Sequence, residues 1–355
     1  MSAHMRYFKI RWLELVLGIG CLLVVVSSTG RACPACLGPG VPKLTLVQRL
    51  ADCDQIIVAK ATLQQPEYVT IETVIRGELR AGSILEIPRG ELPPLGFEES
   101  DRFLLGRQTL GRRWKRLATI DVGCETWLRQ MAGLKRTSEL TEQDWIERVG
   151  MFLPDLEHSN ELIRDTAFGE IARAPFAAMR ANRDRIDRER LLDAWRSTHT
   201  PAERRPLYVL LLGIRGGDEF DDCIDEQLSL LHRNHETQGL AAWWVAKLER
   251  TGPAGLEELQ QRYLADSQRS EEERLAVCLA LSVQGSGNRE RFREPVVAIY
   301  RELIETGTVN TVIVTDLTLW SRRELEPLMR RMLERSDLAN PLREAIHSYL
   351  LASSK

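Results

Sequence analysis

The chain has 355 residues, is 43% apolar and 28% charged, and carries a formal net charge of −3, the make-up of an ordinary soluble globular protein. Its length calls for about two or three domains. Mild acidity excludes a general nucleic-acid binder, which would show a basic domain or stripe.

Arg6, Lys9 and Arg11 precede an apolar run from Leu15 to Val26, and small residues lead to Arg31-Ala32-Cys33-Pro34-Ala35-Cys36. A basic start, an apolar stretch of about a dozen residues and a small-residue exit are the pattern of a secretory signal peptide. The run falls short of the roughly 20 apolar residues that a bilayer span needs. The expectation is a leader over 1–32, cut after Ala32 with Gly30 and Ala32 at −3 and −1. The exported chain then has no stable membrane span, whereas a retained leader would be an N-terminal anchor. Export, whether periplasmic, extracellular or to the cell surface, puts paired cysteines in an oxidising milieu where they read as disulfides. Cys21 lies in the leader. Cys33, Cys36, Cys53 and Cys124 are the disulfide candidates, with three pairings open. Cys223 and Cys278 sit alone on helical patterns and read as small buried apolar residues.

From Asp54 to about Thr119 the chain reads as strands. Gln55–Thr62 and Tyr68–Ile75 are β-branched runs, the second alternating apolar and polar. Ser83–Pro88, Arg102–Gly106 and Leu117–Ile120 add three more, with a Gly/Pro-rich loop at Arg89–Gly96. Five short strands separated by turns predict a small antiparallel barrel or sandwich. The basic run Arg107, Arg112, Arg113, Lys115 and Arg116 reads as a solvated strand edge.

After Gly133 helical periods take over and come in pairs. The second members begin near Arg164, Arg204, Gly239, Arg274, Val309 and Arg343, at steps of 40, 35, 35, about 35 and about 34 residues. Two helices per unit, repeating every thirty-odd residues, is the signature of an α-solenoid. Gly213–Asp218 and Ser282–Gly287 both read as small-residue helix stops. The Val309–Trp320 unit departs most, since Val309, Val312, Ile313 and Val314 favour strand locally. Trp195, Trp243, Trp244, Tyr263, Tyr300 and Trp320 fall on helical faces and read as core. Adjacent helical positions point different ways, so at least one of Trp243 and Trp244 is expected to be partly exposed. Exposed aromatics serve as interface anchors.

Ile163-Arg164-x-x-Ala167 and Leu342-Arg343-x-Ala345 resemble the second helix of HEAT repeats, and this resemblance covers about 140–352. Cysteines straight after a leader, Cys53 just before the strand Gln55–Ala61, and Val74-Ile75-Arg76-Gly77 resemble the netrin-like or TIMP-like module over about 33–130. That resemblance implies an OB-fold barrel whose N-terminal segment is stapled by disulfides, with Cys124 placed as a closing partner. In the family's inhibitors a free N-terminal cysteine chelates the catalytic zinc of a metalloproteinase, a role that would fall to Cys33. The chain departs from the family in opening Cys-x-x-Cys where the inhibitors open Cys-x-Cys. The expected fold is multidomain α+β: a disulfide-stapled OB-like five-stranded β-barrel over 33–135, then an all-α, HEAT-like solenoid of about six helical hairpins over 140–355.

Other chemistry finds little support. Cys33-Pro34-Ala35-Cys36 lacks the helix that lowers a redox thiol's pKa, Leu37 stands where covalent haem needs His, and a zinc site at Cys33, Cys36 and Cys53 lacks a second ligand pair. Gly30 stands where a lipidated Cys33 would need an aliphatic residue. His232 and His235, with Asp221, Asp222, Asp225 and Glu226 upstream, could gather a metal, but acids starting a helix more simply complement its dipole. No His-Glu-x-x-His, phosphate loop or nucleophile elbow is present. The expectation is an exported, non-enzymatic interaction or scaffold protein without cofactor, binding a protein partner through its solenoid with Trp243 and Trp244 as candidate contacts. The alternative is a metalloproteinase inhibitor acting through Cys33.

Overall fold

The computed structural model describes residues 44–62, 65–87, 101–108 and 113–353; the expected leader, Cys33, Cys36 and Arg112 lie outside them. The first element among the described residues is a short helix, α1 (Leu46–Ala51), started by a reciprocal cap between Thr45 and Gln48. Five strands follow: β1 (Gln55–Thr62), β2 (Gln65–Arg76), β3 (Ile84–Glu86), β4 (Arg102–Arg107) and β5 (Lys115–Thr119). They form one antiparallel sheet in the order β3-β2-β1-β4-β5. Among the described residues β3 and β5 do not pair, so the expected barrel is an open sheet. β3 is only three residues long, which leaves little ladder with which to close.

The sheet is buried on both faces. Ile56, Val58, Leu104 and Leu117 join the core shared with the helices, while Ile57, Ala59, Val69, Phe103, Leu105 and Trp114 form a second core on the other side. That is why Ile56–Ala59 is continuously apolar instead of alternating. On the β4–β5 edge, Lys115 and Arg116 are exposed, as the basic run suggests, and Arg107 lies 5.0 Å over the Trp114 ring. Arginines tie the sheet to its neighbours. Arg76 donates to the carbonyls of Leu50 at 3.1 Å, Cys53 at 2.7 Å and Ala132. Arg102 donates to Glu72 at 2.5 Å and to Glu125 on α2 (Glu125–Ala132).

From there the chain is helical: α3 (Glu142–Phe152), α4 (Glu161–Ala172), α5 (Phe176–Ala181), α6 (Arg188–Arg196), α7 (Arg205–Arg215), α8 (Asp218–Asn234), α9 (Leu240–Thr251), α10 (Gly255–Leu259), α11 (Glu271–Gly287), α12 (Arg289–Thr306), α13 (Thr311–Leu319), α14 (Glu326–Leu333) and α15 (Asn340–Ser353). α7, α9, α11, α13 and α15 pack each on the next, while α6, α8 and α14 pack beside their partners α7, α9 and α15, and α12 packs on α11, the helix before it. Five of the six second helices read from the repeat register thus form a row, while the first, α4, packs on α3. α5 interrupts the pairing and packs on α3, α7 and α11. Gly213 does not end α7, which runs to Arg215 and stops at Gly216 with a positive φ of 74°. Gly213 instead admits α9, since a Cβ there would lie 2.6 Å from that of Ala246. Ser282–Gly287 does close a helix, forming the last turns of α11, which ends at Gly287, and Gly285 receives the Trp320 ring.

The β-branched stretch before Trp320 is helix α13. Asn310 caps it, accepting from the amides of Val312 at 3.1 Å and Ile313 at 3.2 Å. Ile313, Val314 and Leu317 are fully buried. Asp316, buried on the same helix, accepts from Tyr300 Oη and from Ser282 Oγ, each at 2.8 Å. Burial and these bonds outweigh a local strand preference worth at most about 1 kcal/mol.

Where sheet and helices meet, Glu170 (2% exposed) accepts from Arg148 (4% exposed) at 3.1 Å and from Thr45 Oγ1, and Arg148 also donates to the Lys135 carbonyl at 2.6 Å. Removing one partner of a buried pair strands the other charge. Glu170→Leu and Arg148→Met are each expected to destabilise by about 3–5 kcal/mol, and the double variant by clearly less than their sum. Urea unfolding of the four proteins checks this, and strict additivity would show the pair is uncoupled.

Candidate functional site

α4, α6, α7 and the turns between them enclose an open polar cleft of about 540 Å³, lined among others by Glu157, Glu161, Arg164, Asp193, His199 and Tyr208. Its floor is Tyr208, buried on α7, whose hydroxyl donates to Glu157. Burial first, then the facing carboxylate, pushes the phenol well above its ordinary value, so it remains a donor. The arginines of the cleft serve the fold. Arg190 donates to the carbonyls of Pro154 at 3.1 Å and Glu157 at 2.6 Å, and Arg164 to that of His158 at 3.0 Å. Arg204 pairs with Asp165, its guanidinium 5.3 Å over the Phe168 ring. Glu161 and Asp193 are exposed at the rim. With the arginines' donors directed to backbone carbonyls and Asp165, the exposed Glu161 and Asp193 carboxylates are the acceptors the cleft offers to an incoming donor.

The aromatic pair singled out in the sequence lies elsewhere, and neither ring is an exposed anchor. Trp243 is 7% and Trp244 0% exposed. Their side chains diverge, but α9 is covered on both sides. Trp243 stacks on Phe220 at 5.7 Å and meets Trp195 edge-on at 5.8 Å, while Trp244 meets Tyr263 edge-on at 5.9 Å.

Cys53 and Cys124, two of the four disulfide candidates, are buried free thiols, as is Cys278, and Cys223 is a half-buried free thiol. The Cys53 and Cys124 thiols are both pushed up by burial, and Cys53 Sγ donates to the Arg49 carbonyl at 3.2 Å. The other two candidates, Cys33 and Cys36, and with Cys33 the zinc-chelating role, fall outside the described residues.

Nor are His232 and His235 gathered with Asp221, Asp222, Asp225 and Glu226. Among the described residues no group of three or more His, Cys, Asp or Glu side chains is arranged to hold a metal. Both histidines turn instead to Arg269 and Glu273, which the sequence reading did not single out. A signal was there: Ser270-Glu271-Glu272-Glu273 is a capping-box pattern. Ser270 Oγ accepts from the Glu273 amide at 3.1 Å, and Glu273 accepts from the Ser270 amide at 2.9 Å. No local pattern foretells that Glu273 is also the buried anchor of an arginine. Among the described residues no helix is long and apolar enough to cross a membrane.

Two outcomes follow from burial. Trp244→Ala is expected to destabilise the fold by about 3–5 kcal/mol, read by urea unfolding; a loss under about 1 kcal/mol would contradict the packing around α9. The Cys278 thiol is pushed up to about 11 by burial, so iodoacetamide at pH 8 should label it only after unfolding, and labelling of the native protein at the unfolded rate would contradict that.

Compared with known proteins, the chain matches no family model, no curated protein and no solved structure.

Proposed function

We propose that the protein is an exported, non-enzymatic interaction or scaffold protein, its helical half a HEAT-like solenoid and its β-half an OB-like module. The observation that carries this reading is the row α7–α9–α11–α13–α15, each helix packed on the next at the spacing of the sequence repeat. Stacked helix pairs of this kind present extended surfaces on which protein partners bind. The β-half supports it more weakly: β1 between β2 and β4, with β3 and β5 at the ends, is the arrangement of a five-stranded OB-like barrel opened between its edge strands. Assignment of the function rests on architecture, so it is an argument by analogy.

The partner would dock at the cleft between α4, α6 and α7, where a donor or cationic side chain meets Glu161 and Asp193. Affinity purification from the exported fraction, with chemical cross-linking, tests this. Wild type should recover a partner in defined stoichiometry, and Glu161→Arg with Asp193→Arg should cut recovery about tenfold while leaving the melting temperature unchanged. Equal recovery removes the cleft from the interface, and a protein that stays alone and monomeric removes the interaction reading. Export itself predicts an intact mass beginning at Cys33; a mass that retains residues 1–32 in a cytosolic fraction would overturn it.

A further inference from the structure

The last turn of α8 faces the start of α11 through a set of side chains whose donor and acceptor roles cannot all be kept at every pH. Arg269 can only donate, and it does so in four directions. Nη2 lies 2.8 Å from His232 Nε2; Nη1 donates to the His232 carbonyl at 2.8 Å and to Glu273 at 2.9 Å; Nε donates to Asp266 at 3.1 Å. His232 Nε2 must therefore be the unprotonated nitrogen, which places the ring proton on Nδ1, a buried atom with no hydrogen-bond partner. His235 Nδ1 sits between opposites, 3.4 Å from Arg269 Nη1 and 3.3 Å from Glu273 Oε2. Unprotonated, it accepts from the arginine; protonated, it donates to the carboxylate. Glu273 is fully buried and must keep a cationic partner in either state.

A left-handed cap fixes the backbone at His235, three residues after His232. His235 ends α8 in the left-handed conformation at φ 55°, and the Glu236 amide donates back to the Leu231 carbonyl at 3.0 Å. Below them the chain forms a single π-turn over Gln260–Leu264, which sets the Tyr263 ring 5.3 Å from His232 and 5.4 Å from the Arg269 guanidinium. Such turns concentrate at functional positions.

We infer that His232 and His235 form an acid-responsive latch between α8 and α11, in which protonation transfers the tie from Arg269–His232 to His235–Glu273. A proton on His232 Nε2 would point at an Arg269 N–H, breaking the shorter bond and setting two cations face to face. A proton on His235 Nδ1 completes an ion pair with Glu273.

The charged and titratable groups around His232 come from every neighbouring element. They are His235 at the C-terminal cap of α8, Arg262 and Tyr263 on the π-turn, Asp266 and Arg269 in the connection, and Glu273 on α11. Burial first, then Arg269 and Arg262, hold the His232 imidazole below its ordinary value against the pull of Glu273 and Asp266. A base whose value is lower in the folded chain binds protons more readily when unfolded. The stability it contributes is therefore whole above about pH 6.5 and is lost as the pH falls through the lowered folded value.

The test compares melting temperatures from pH 7.5 to 5.0 for wild type, His232→Gln, which keeps an acceptor but cannot titrate, and His235→Gln. Wild type should lose about 2–4 °C more than His232→Gln across this range. His235→Gln, lacking the compensating ion pair, should lose more than wild type. Superimposable profiles for wild type and His232→Gln would overturn the latch. An NMR titration of His232 in the wild-type protein decides independently of any variant's folding: a midpoint below 6.5 is expected, and one at or above 6.5 would overturn it.

Discussion

From Leu240 to Ala246 helix α9 has no side on which water could replace protein; solvent reaches only its last turns, at Lys247, Glu249, Arg250 and Thr251. Leu240, Ala242, Trp244, Val245, Ala246 and Leu248 are all buried to within 1%, and α7, α8 and α11 pack around them. A stretch apolar all round, as Leu240–Ala246 is, is stable only inside other helices, so the neighbouring helices of the row must assemble around it. Contact with α7 is close enough that only glycine fits at position 213 against Ala246. The Trp195–Phe220–Trp243 cluster fills the gap on one flank and the Trp244–Tyr263 contact the other. The same apolar seam runs back through α3 and α4 to one face of the sheet, joining β-half and helical half in one core.

Polar groups inside that seam mark where layers must register. Glu170 with Arg148 and Thr45 fixes the first helices against α1; Asp316 with Tyr300 and Ser282 fixes α13 against α11 and α12; Arg269, held by Glu273, donates to the His232 carbonyl and fixes the start of α11 against α8. Buried charges contribute little net stability, because losing water offsets most of their attraction. They do penalise any arrangement in which they are left unpaired, so each site favours one placement of its helix. The third of these sites also holds His232 and His235 against Arg269, the arrangement on which the proposed acid-responsive latch rests.

The proposed interaction role draws on the same division between rigid row and adjustable surface. The row supplies a frame on which cleft residues such as Glu161 and Asp193 are held by α4 and α6, while the arginines beside them are committed to backbone carbonyls and Asp165. A frame fixed by apolar packing can hold an open polar cleft without the cleft itself having to stabilise the fold.

Local chemistry determined much of the molecule. β-branched runs set the five strands, the change of period after Gly133 set the helical half, and the thirty-odd-residue register marked the helices that form the inner row, because side-chain periodicity records which face is buried. Spacing alone did not determine what covers those faces. The divergent directions of Trp243 and Trp244 were legible, but their burial on both sides depends on Phe220, Trp195 and Tyr263, brought in from other helices. The strand preference of Val309–Val314 gave way to a cap from Asn310 and to the buried Asp316 network. His232 and His235 met Arg269 and Glu273, more than thirty residues away along the chain, instead of the acids upstream on their own helix. Pairings between distant segments are selected by packing and by satisfaction of buried polar groups in the assembled layers, and neither exists until the chain has folded.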